Sequence, residues 1–320
     1  MDEKAMKLYP LRFTDEKAEA PWGQVSYKIA DLGFTDSMVA EGWFGGNTLS
    51  ELMGTYLERV TGDESFEYYG LQFPVMLKVL KVTGWQPLQV NVGDEAAEER
   101  YDSFGKTALW YIQEAGPDAR MYLGFNRDVP AGEFYARCQE GTVEEVLNEL
   151  RPKAGEYVLI KPGTVFAAGP GLTILEIAEC SEMSFNIHGW GAPDSGEILL
   201  EEAFDLIDFS RLDAGPERLE TVERPEFKVT RMDLKAPLHI FSEQPGSFAL
   251  YHCLSGEATV CGEDGVPRNI PAGTPVLVPS EVNDYILAPV REGTVVLEVT
   301  AGARSVPDSY VKDPHIKEWN

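Results

Sequence analysis

A run of short apolar segments, which begins near residue 70 and continues almost to residue 300, limits the fold of this chain more than any other feature. Gly, Pro and Asp residues separate the segments, as in PLQVNV, GEYVLI and LTILEIAE early in the run and TPVLVPS and TVVLEVT late in it. Short strands at close spacing with turn residues between them are typical of antiparallel sandwiches and jelly rolls. The pattern therefore predicts an all-β protein.

Two stretches break the strand pattern. Residues 47–53 (NTLSELM) resemble the start of a helix, and residues 129–150 carry apolar side chains at helical spacing, with Thr142 in a position to cap a helix. We expect both stretches to be helical insertions in a β framework.

An internal similarity predicts two copies of one β unit. Residues 155–166 and 273–284 each read as a glycine turn, an apolar strand and a proline turn that leads into another strand. We expect an N-terminal domain over residues 1–211, a charged linker over 212–224 and a C-terminal domain over 225–320. A chain of 320 residues is long enough for roughly two ordinary domains.

The net charge of −26 argues against two classes of partner. Such a surface repels nucleic acid and anionic lipid, so an anionic ligand would need a local basic pocket. No apolar run approaches the roughly 20 residues needed to cross a bilayer, and the N-terminal MDEKAMKLYPLRF lacks the apolar stretch of a signal peptide. We therefore expect a cytoplasmic protein that binds neither nucleic acid nor membranes.

The four cysteines are scattered along the chain. Cys138, Cys180, Cys253 and Cys261 show no Cys-x-x-Cys spacing of the kind that zinc or redox sites use. We expect them to be buried free thiols.

Several segments between residue 7 and about residue 190 follow one another in the order of a known enzyme family. They are Pro21-Trp22-Gly23, Gly46 to Leu52, Phe73 to Lys78, Gly105 to Tyr111, Ile160 to Gly169, and Leu175-Glu176-Ile177 followed by Ser181. In these motifs the chain resembles the short bacterial form of the type I mannose-6-phosphate isomerases. The resemblance implies two cupin (jelly-roll) β-barrels, a mannose 6-phosphate or fructose 6-phosphate substrate, and a catalytic zinc ion.

The residues that hold zinc in the family are replaced here. The family supplies a Gln-x-His pair, the Glu of a Gly-Lys-x-Glu motif, and a His after the proline turn. The resemblance puts Asn91 and Gly93 at the first pair, Ala108 at the Glu and Phe166 at the last His. Zinc needs about four N, O or S donors. Because Asn91 alone offers one weak oxygen, the sequence predicts that no zinc cofactor is bound.

A one-residue slip in the alignment is the alternative, with Asp94 or Glu95 standing in for the missing histidine. On a continuous strand such a slip turns the side chains to the opposite face, so we expect Asp94 to point away from Asn91. The slip also leaves Ala108 and Phe166 unexplained. The four histidines, His188, His239, His252 and His315, all lie away from the family metal positions.

Of the remaining family positions, some are replaced and others are kept. The arginine that contacts substrate in the family is Asn186 here, and the serine that helps to hold the phosphate is Gln89. Lys78 and Lys106 remain at positions that line the family's sugar-phosphate pocket, and lysines are good partners for a phosphate. They are either a remnant anion pocket or two lysines whose stems pack on the barrel with their charges in water.

Other candidate residues have simpler structural interpretations. His188 beside Trp190 is expected to be a structural histidine packed on an indole, and His252 a core or rim histidine. Glu176 and Glu179 are three apart on a predicted strand, which puts them on opposite faces and argues against a general acid–base pair.

Two functional hypotheses remain. The first is a non-catalytic homologue that binds a small sugar or sugar phosphate, or has a regulatory role, with Lys78, Lys106 and Asn91 as its binding residues and no catalytic residue. The second is an active sugar-phosphate isomerase that uses a relocated metal or none, with Glu176 as base and Lys78 or Lys106 polarising the carbonyl.

Overall fold

The computed structural model describes residues 6–192, 195–213, 215–242 and 246–304, and most of its regular structure is strand. The strands are β1 (Glu16–Ala20), β2 (Gly23–Ile29), β3 (Val75–Val82), β4 (Leu88–Asn91), β5 (Ala108–Ala115), β6 (Met121–Phe125), β7 (Leu147–Leu150), β8 (Glu156–Ile160), β9 (Val165–Ala168), β10 (Leu172–Glu179), β11 (Ser184–His188), β12 (Glu217–Arg218), β13 (Thr221–Glu223), β14 (Phe227–Leu234), β15 (Leu238–Phe241), β16 (Ala249–Ser255), β17 (Glu257–Gly262), β18 (Pro267–Pro271), β19 (Pro275–Val278), β20 (Asp284–Pro289) and β21 (Thr294–Ala301). The α-helices are α1 (Leu49–Tyr56), α2 (Glu58–Thr61), α3 (Asp63–Tyr69), α4 (Asp94–Tyr101), α5 (Ala131–Glu140) and α6 (Leu200–Ala203). The predicted all-β fold with helical insertions is confirmed. Among the helices of these ranges, none combines the length and apolar character that a bilayer span requires.

The chain divides into two units. The first unit comprises residues 13–49 and 75–222, and the second comprises the described residues of 1–12, 50–74 and 223–320. Each unit contains two sheets, and neighbouring strands pair in antiparallel fashion, as β3 does with β10 and β14 with β21.

A seven-stranded and a five-stranded sheet form the first unit. Their strand orders are β1-β2-β3-β10-β5-β8-β12 and β11-β4-β9-β6-β7. Apolar side chains of both sheets share one buried cluster, in which Met76, Trp110 and Ile174 of the large sheet meet Leu123 and Phe166 of the small one. This arrangement is the two-sheet barrel that the strand pattern predicted.

The second unit has sheets of order β13-β14-β21-β16-β19 and β15-β20-β17-β18. Two segments from the start of the chain complete it. Leu11 pairs with Leu277 through backbone hydrogen bonds in both directions, and Phe73 packs its ring 4.8 Å from that of Phe248. Arg59 forms an ion pair with Glu281 at 2.8 Å.

The units differ from the predicted domain boundaries. The prediction assigned residues 1–211 to the first domain, whereas residues 6–12 and 50–74 pack with the C-terminal strands. The predicted linker, 212–224, contains two short strands: β12 pairs with β8 in the first unit, and β13 lies beside β14. Proximity along the chain could not predict where residues 6–12 and 50–74 pack, because the residues that they contact are more than 150 residues away, as Phe248 is from Phe73.

The predicted helix over residues 129–150 is only partly helical. It consists of α5, a 3-10 turn over Val143–Val146 and the strand β7, and Thr142 precedes the 3-10 turn without a side-chain capping bond. Leu147 and Leu150 pair with Phe125 and Met121 of β6. Strand pairing therefore overrides the helical spacing at the end of this segment.

The prediction that the four cysteines are free thiols is confirmed, and the prediction that all four are buried is wrong for two of them. All four thiols are free. Cys180 and Cys253 are buried, but Cys138 and Cys261 are only half-buried.

Phe248 is expected to be a major source of stability in the second unit because its side chain is fully buried against Phe73. Phe248→Ala should lower the free energy of unfolding by about 3–5 kcal/mol. Phe241, a 60% exposed residue of the same unit, provides the matched control, and Phe241→Ala should change the free energy very little. Urea denaturation measures both, and equal effects would contradict the packing described here.

Candidate functional site

A row of directly opposed side chains crosses the large sheet of the first unit. Tyr27 on β2 lies opposite Lys78 on β3, Lys78 lies opposite Glu176 on β10, and Glu176 lies opposite Trp110 on β5. Directly opposed residues share a face of the sheet, and Trp110 belongs to the interior cluster. The row therefore points into the barrel. Strand pairing alone brings a lysine, a carboxylate and an indole together there.

Four charged side chains meet at this row, and we call Lys78, Lys106, Glu176 and Glu182 the charge cluster. Glu176 Oε1 lies 3.2 Å from Lys78 Nζ and 3.3 Å from Lys106 Nζ. Glu182 Oε1 lies 2.8 Å from Lys78 Nζ, while its Oε2 lies 3.3 Å from Lys106 Nζ. Trp110 Nε1 donates a hydrogen bond of 2.6 Å to Glu176 Oε2. Each lysine thus contacts both carboxylates.

The charge cluster is closed to solvent except at Glu182. The side chains of Lys78, Lys106 and Glu176 are 8%, 4% and 5% exposed, whereas that of Glu182 is 30% exposed. Two ammonium groups and two carboxylates give a formal charge of zero. Buried charges are tolerated when they are paired in this way.

The electrostatics of the cluster favour the charged forms of Glu182, Glu176 and Lys78. Burial raises the pKa of the Glu182 carboxyl, but the nearby Lys106 and Lys78 outweigh burial and bring the pKa down to about 2. The pKa of Glu176 is lowered by the same balance between burial and the two lysines. Burial lowers the pKa of Lys78, and the attraction of Glu176 and Glu182 more than reverses that effect, so the pKa is raised.

Three of the four positions that the resemblance assigns to the family's metal ligands lie on the interior face of the first unit. Ala108 and Phe166 belong to the same buried cluster, and the Phe166 ring meets that of Trp110 edge-on at 5.3 Å. Asn91 lies two residues after Gln89, which pairs with Phe166, so all three side chains share one face. Gly93 comes just after β4 ends and precedes the first turn of α4.

The donors at these positions do not fit a zinc ion. Gly93, Ala108 and Phe166 have no side-chain N, O or S atom, and the single oxygen, Asn91 Oδ1, accepts a 2.6 Å hydrogen bond from Ser184 Oγ. A zinc site needs about four donors. Within the described ranges, no group of three or more His, Cys, Asp or Glu side chains is arranged to hold a metal ion.

Asp94 and Glu95 do not replace the missing ligands. We expected Asp94 to continue the strand on its outer face, but the chain turns into α4 there, so that reasoning was wrong. Asp94 Oδ1 accepts a hydrogen bond from the Gly105 backbone N–H at 3.0 Å, and Glu95 is exposed. The contacts of these two residues therefore follow from the helix rather than from strand alternation.

The side-chain amide of Asn91 is fully buried and only half satisfied. Its Oδ1 accepts from Ser184, and its Nδ2 has no hydrogen-bond partner within the described residues. Turning the amide over would leave the oxygen unpaired instead. Buried polar groups nearly always have a partner, so this amide can serve a ligand hydroxyl or a water molecule.

The two other replaced family positions contact each other. Gln89 Nε2 donates to Asn186 Oδ1 at 2.8 Å, which joins the position of the family's phosphate-binding serine to that of its arginine. A neutral amide pair thus occupies the two positions that the resemblance assigns to the family's substrate contacts.

The remaining candidates have local structural contacts. Trp190 donates its backbone N–H to His188 Nδ1 at 3.3 Å, and the two rings meet edge-on. His252 is fully buried in the second unit. Glu179 Oε2 accepts from the Thr107 backbone N–H, while Glu176 contacts the lysines, so these two carboxylates have different partners.

Sequence reasoning missed Glu182 and Trp110 as members of the site. It left two possibilities for the lysines, and the structure contradicts the one that puts their charges in water, because both ammonium groups are buried and paired. One signal was available, because a lysine such as Lys78 within an apolar strand needs a countercharge from elsewhere in the chain.

The lowered pKa of Glu182 predicts how its contribution to stability depends on pH. The contribution is fully present above the ordinary pKa of 4.5 and is lost as the pH falls towards the folded-state value of about 2. The difference in free energy of unfolding between the natural protein and Glu182→Gln should therefore be constant from pH 7 to about 5 and shrink below that. Urea denaturation across this range measures it, and a difference unaffected by acid would contradict the ion pairing.

Comparison with known proteins finds mannose-6-phosphate isomerases among the relatives of this chain. No family model matches the chain. Mannose-6-phosphate isomerase ManA of Bacillus subtilis is 24% identical over 326 residues, which cover 92% of this chain and 97% of that protein. Mannose-6-phosphate isomerase of Streptococcus mutans is 24% identical over 70% of this chain and 72% of its own length.

Solved structures agree with the sequence relatives on the fold. The mannose 6-phosphate isomerase structure from Bacillus subtilis superposes with a TM-score of 0.79 at 20% identity, covering 91% of this chain and 99% of that one. A mannosephosphate isomerase structure from Archaeoglobus fulgidus, described as putative, gives 0.77 at 16% identity, covering 93% and 99%. Sequence and fold together identify the chain as a homologue of the mannose-6-phosphate isomerases.

Proposed function

We propose that this chain is a non-catalytic homologue of the mannose-6-phosphate isomerases and that its first unit binds a small sugar or sugar phosphate. One observation carries the proposal: Ala108 and Phe166, at two positions that the resemblance assigns to metal ligands, are apolar, and the adjacent Trp110 is hydrogen-bonded to a charge cluster that is already neutral. Ala108, Phe166 and Trp110 belong to one buried apolar cluster.

The chemistry of the donors supports the absence of a catalytic zinc. The family uses zinc to hold and polarise the two substrate oxygens between which the double bond moves. Here the matching positions provide one amide oxygen, and it already accepts from Ser184. If a hydrated ion were bound beside Phe166, the protein would also lose the favourable contact between that ring and Trp110.

The ionisation of the charge cluster supports the absence of a metal-free replacement. A general base works best with a pKa near the working pH. The lysines hold the pKa of Glu182 at about 2 and lower that of Glu176, so neither carboxylate takes up a proton readily. Both carboxylates also lie in ion pairs that would have to break before a substrate could use them.

The half-satisfied amide of Asn91 supports retained ligand binding. A sugar presents several hydroxyls, each able to donate and accept a hydrogen bond, which suits a buried amide with one free partner position. Glu182 adds a partly exposed carboxylate that can accept from a second hydroxyl.

An active isomerase is the second candidate, and one observation favours it. Glu176 contacts Lys78 and Lys106 directly, which is the carboxylate–lysine arrangement that a metal-free aldose–ketose isomerisation would use. The lowered pKa of Glu176 weighs against this candidate.

Metal analysis and an isomerase assay distinguish the two candidates. Protein purified without chelators should contain well under one equivalent of zinc, and a coupled assay with mannose 6-phosphate should show no turnover above background. The Bacillus subtilis ManA enzyme serves as the positive control. Stoichiometric zinc, or turnover that Lys106→Ala abolishes, would refute the non-catalytic proposal.

Calorimetric titration tests the binding role of Asn91. The probes are mannose, fructose and their 6-phosphates, and at least one should bind. Because a single hydrogen bond contributes about 0.5–1.5 kcal/mol, Asn91→Ala should weaken that binding by roughly two- to tenfold. Asn269→Ala, at an exposed position in the second unit, is the control. Binding of none of the four probes, or equal binding by the Asn91 variant, would contradict the proposed site.

A further inference from the structure

We propose that Glu182 occupies an anion site formed by Lys78 and Lys106, and that it thereby restricts the first unit to uncharged sugars. This inference rests on the proposed function and makes it more specific, because it selects the unphosphorylated class of ligand.

The geometry at Glu182 is that of a bound anion. Its two oxygens bridge the two lysines, Oε1 at 2.8 Å from Lys78 Nζ and Oε2 at 3.3 Å from Lys106 Nζ. Two oxygens of a phosphate can bridge two ammonium groups in the same way. Glu176 contacts the same lysines from the neighbouring strand β10. Glu182 contacts them from outside the sheet, which is the position that an incoming anion would take.

The backbone around Glu182 presents the carboxylate from a turn rather than from the sheet. The residue lies between β10 and β11, in a turn closed by hydrogen bonds from Ser181 N–H to Glu179 C=O and from Ser184 N–H to Glu182 C=O. Met183 N–H also donates to Ser181 Oγ at 3.2 Å. These bonds hold the turn in place, and the partly exposed side chain covers two lysines that are almost fully buried.

Electrostatics make Glu182 a strong competitor of a free anion. With Glu182 in place the charge cluster is neutral, and a phosphate beside it would face two carboxylates at close range. A tethered group also acts at an effective concentration of about millimolar or more, which a free anion must exceed to displace it. An uncharged sugar meets no such repulsion and can donate hydroxyls to the exposed part of the Glu182 carboxylate.

Removing the carboxylate should therefore open an anion site. In Glu182→Ala the cluster keeps Lys78, Lys106 and Glu176 and has a formal charge of +1. Inorganic phosphate is the probe, titrated calorimetrically in a buffer low in chloride, so that the result does not depend on which sugar is the ligand. We expect phosphate to bind Glu182→Ala at least about tenfold more tightly than the natural protein.

The matched control is Glu114→Ala, which changes the net charge equally at an exposed position on β5. It should bind phosphate no better than the natural protein. Equal phosphate affinity in the natural protein and Glu182→Ala would overturn the proposal, as would an equal gain in Glu114→Ala. If Glu182→Ala does not fold, as judged by its melting curve, Glu182→Gln decides. That variant keeps the shape and removes the charge, so a gain in phosphate affinity supports the proposal and no gain overturns it.

Failure here is distinguishable from failure of the proposed function. Zinc and isomerase turnover are measured on the natural protein without reference to Glu182. A metal-free, inactive protein whose Glu182→Ala variant gains no phosphate affinity would refute only the anion-site inference.

Discussion

Two ammonium groups inside an apolar barrel are the constraint on which the rest of the first unit depends. An isolated buried charge costs several kcal/mol, so Lys78 and Lys106 can remain inside only with carboxylates at contact distance. Glu176 meets this need through strand register and Glu182 through a turn. A slip of one residue between β3 and β10 would turn Lys78 or Glu176 to the other face and leave a charge unpaired, so the ion pairs also specify the register.

The same pairing explains how the site differs from that of a metalloenzyme. A zinc ion brings two positive charges and needs ligands that are free to coordinate it. Here the carboxylates neutralise lysines, and the surrounding positions are filled by Ala108, Phe166 and the indole of Trp110. The charges of the interior are therefore balanced, and the Asn91 Nδ2 is one of the buried polar atoms there that has no hydrogen-bond partner among the described residues.

Local sequence pattern predicted the strands well, because short apolar segments and the turn residues between them are short-range features of the sequence. Short apolar segments bounded by turn residues identified β3, β5 and β10, and the resemblance to the isomerase family implied that Asn91, Ala108 and Phe166 share the barrel interior. The pattern failed where distant contacts decide the outcome. Residues 147–150 have helical spacing but pair with β6, and residues 50–74 pack with strands from the far end of the chain. The partnership of Glu182 with two lysines was missed because the conformation of a turn side chain follows from the assembled sheet.

The division of the second unit between both ends of the chain has a consequence for synthesis on the ribosome. Phe73 is made 175 residues before its partner Phe248, and Leu11 is made 266 residues before its partner Leu277. At 5–20 residues per second, the buried side chains of Phe73 and Leu11 wait roughly 9–35 s and roughly 13–53 s for these partners. During that interval their apolar surface is open to chaperones and to neighbouring nascent chains. The order in which this chain is made therefore exposes one unit to aggregation while the other can already close.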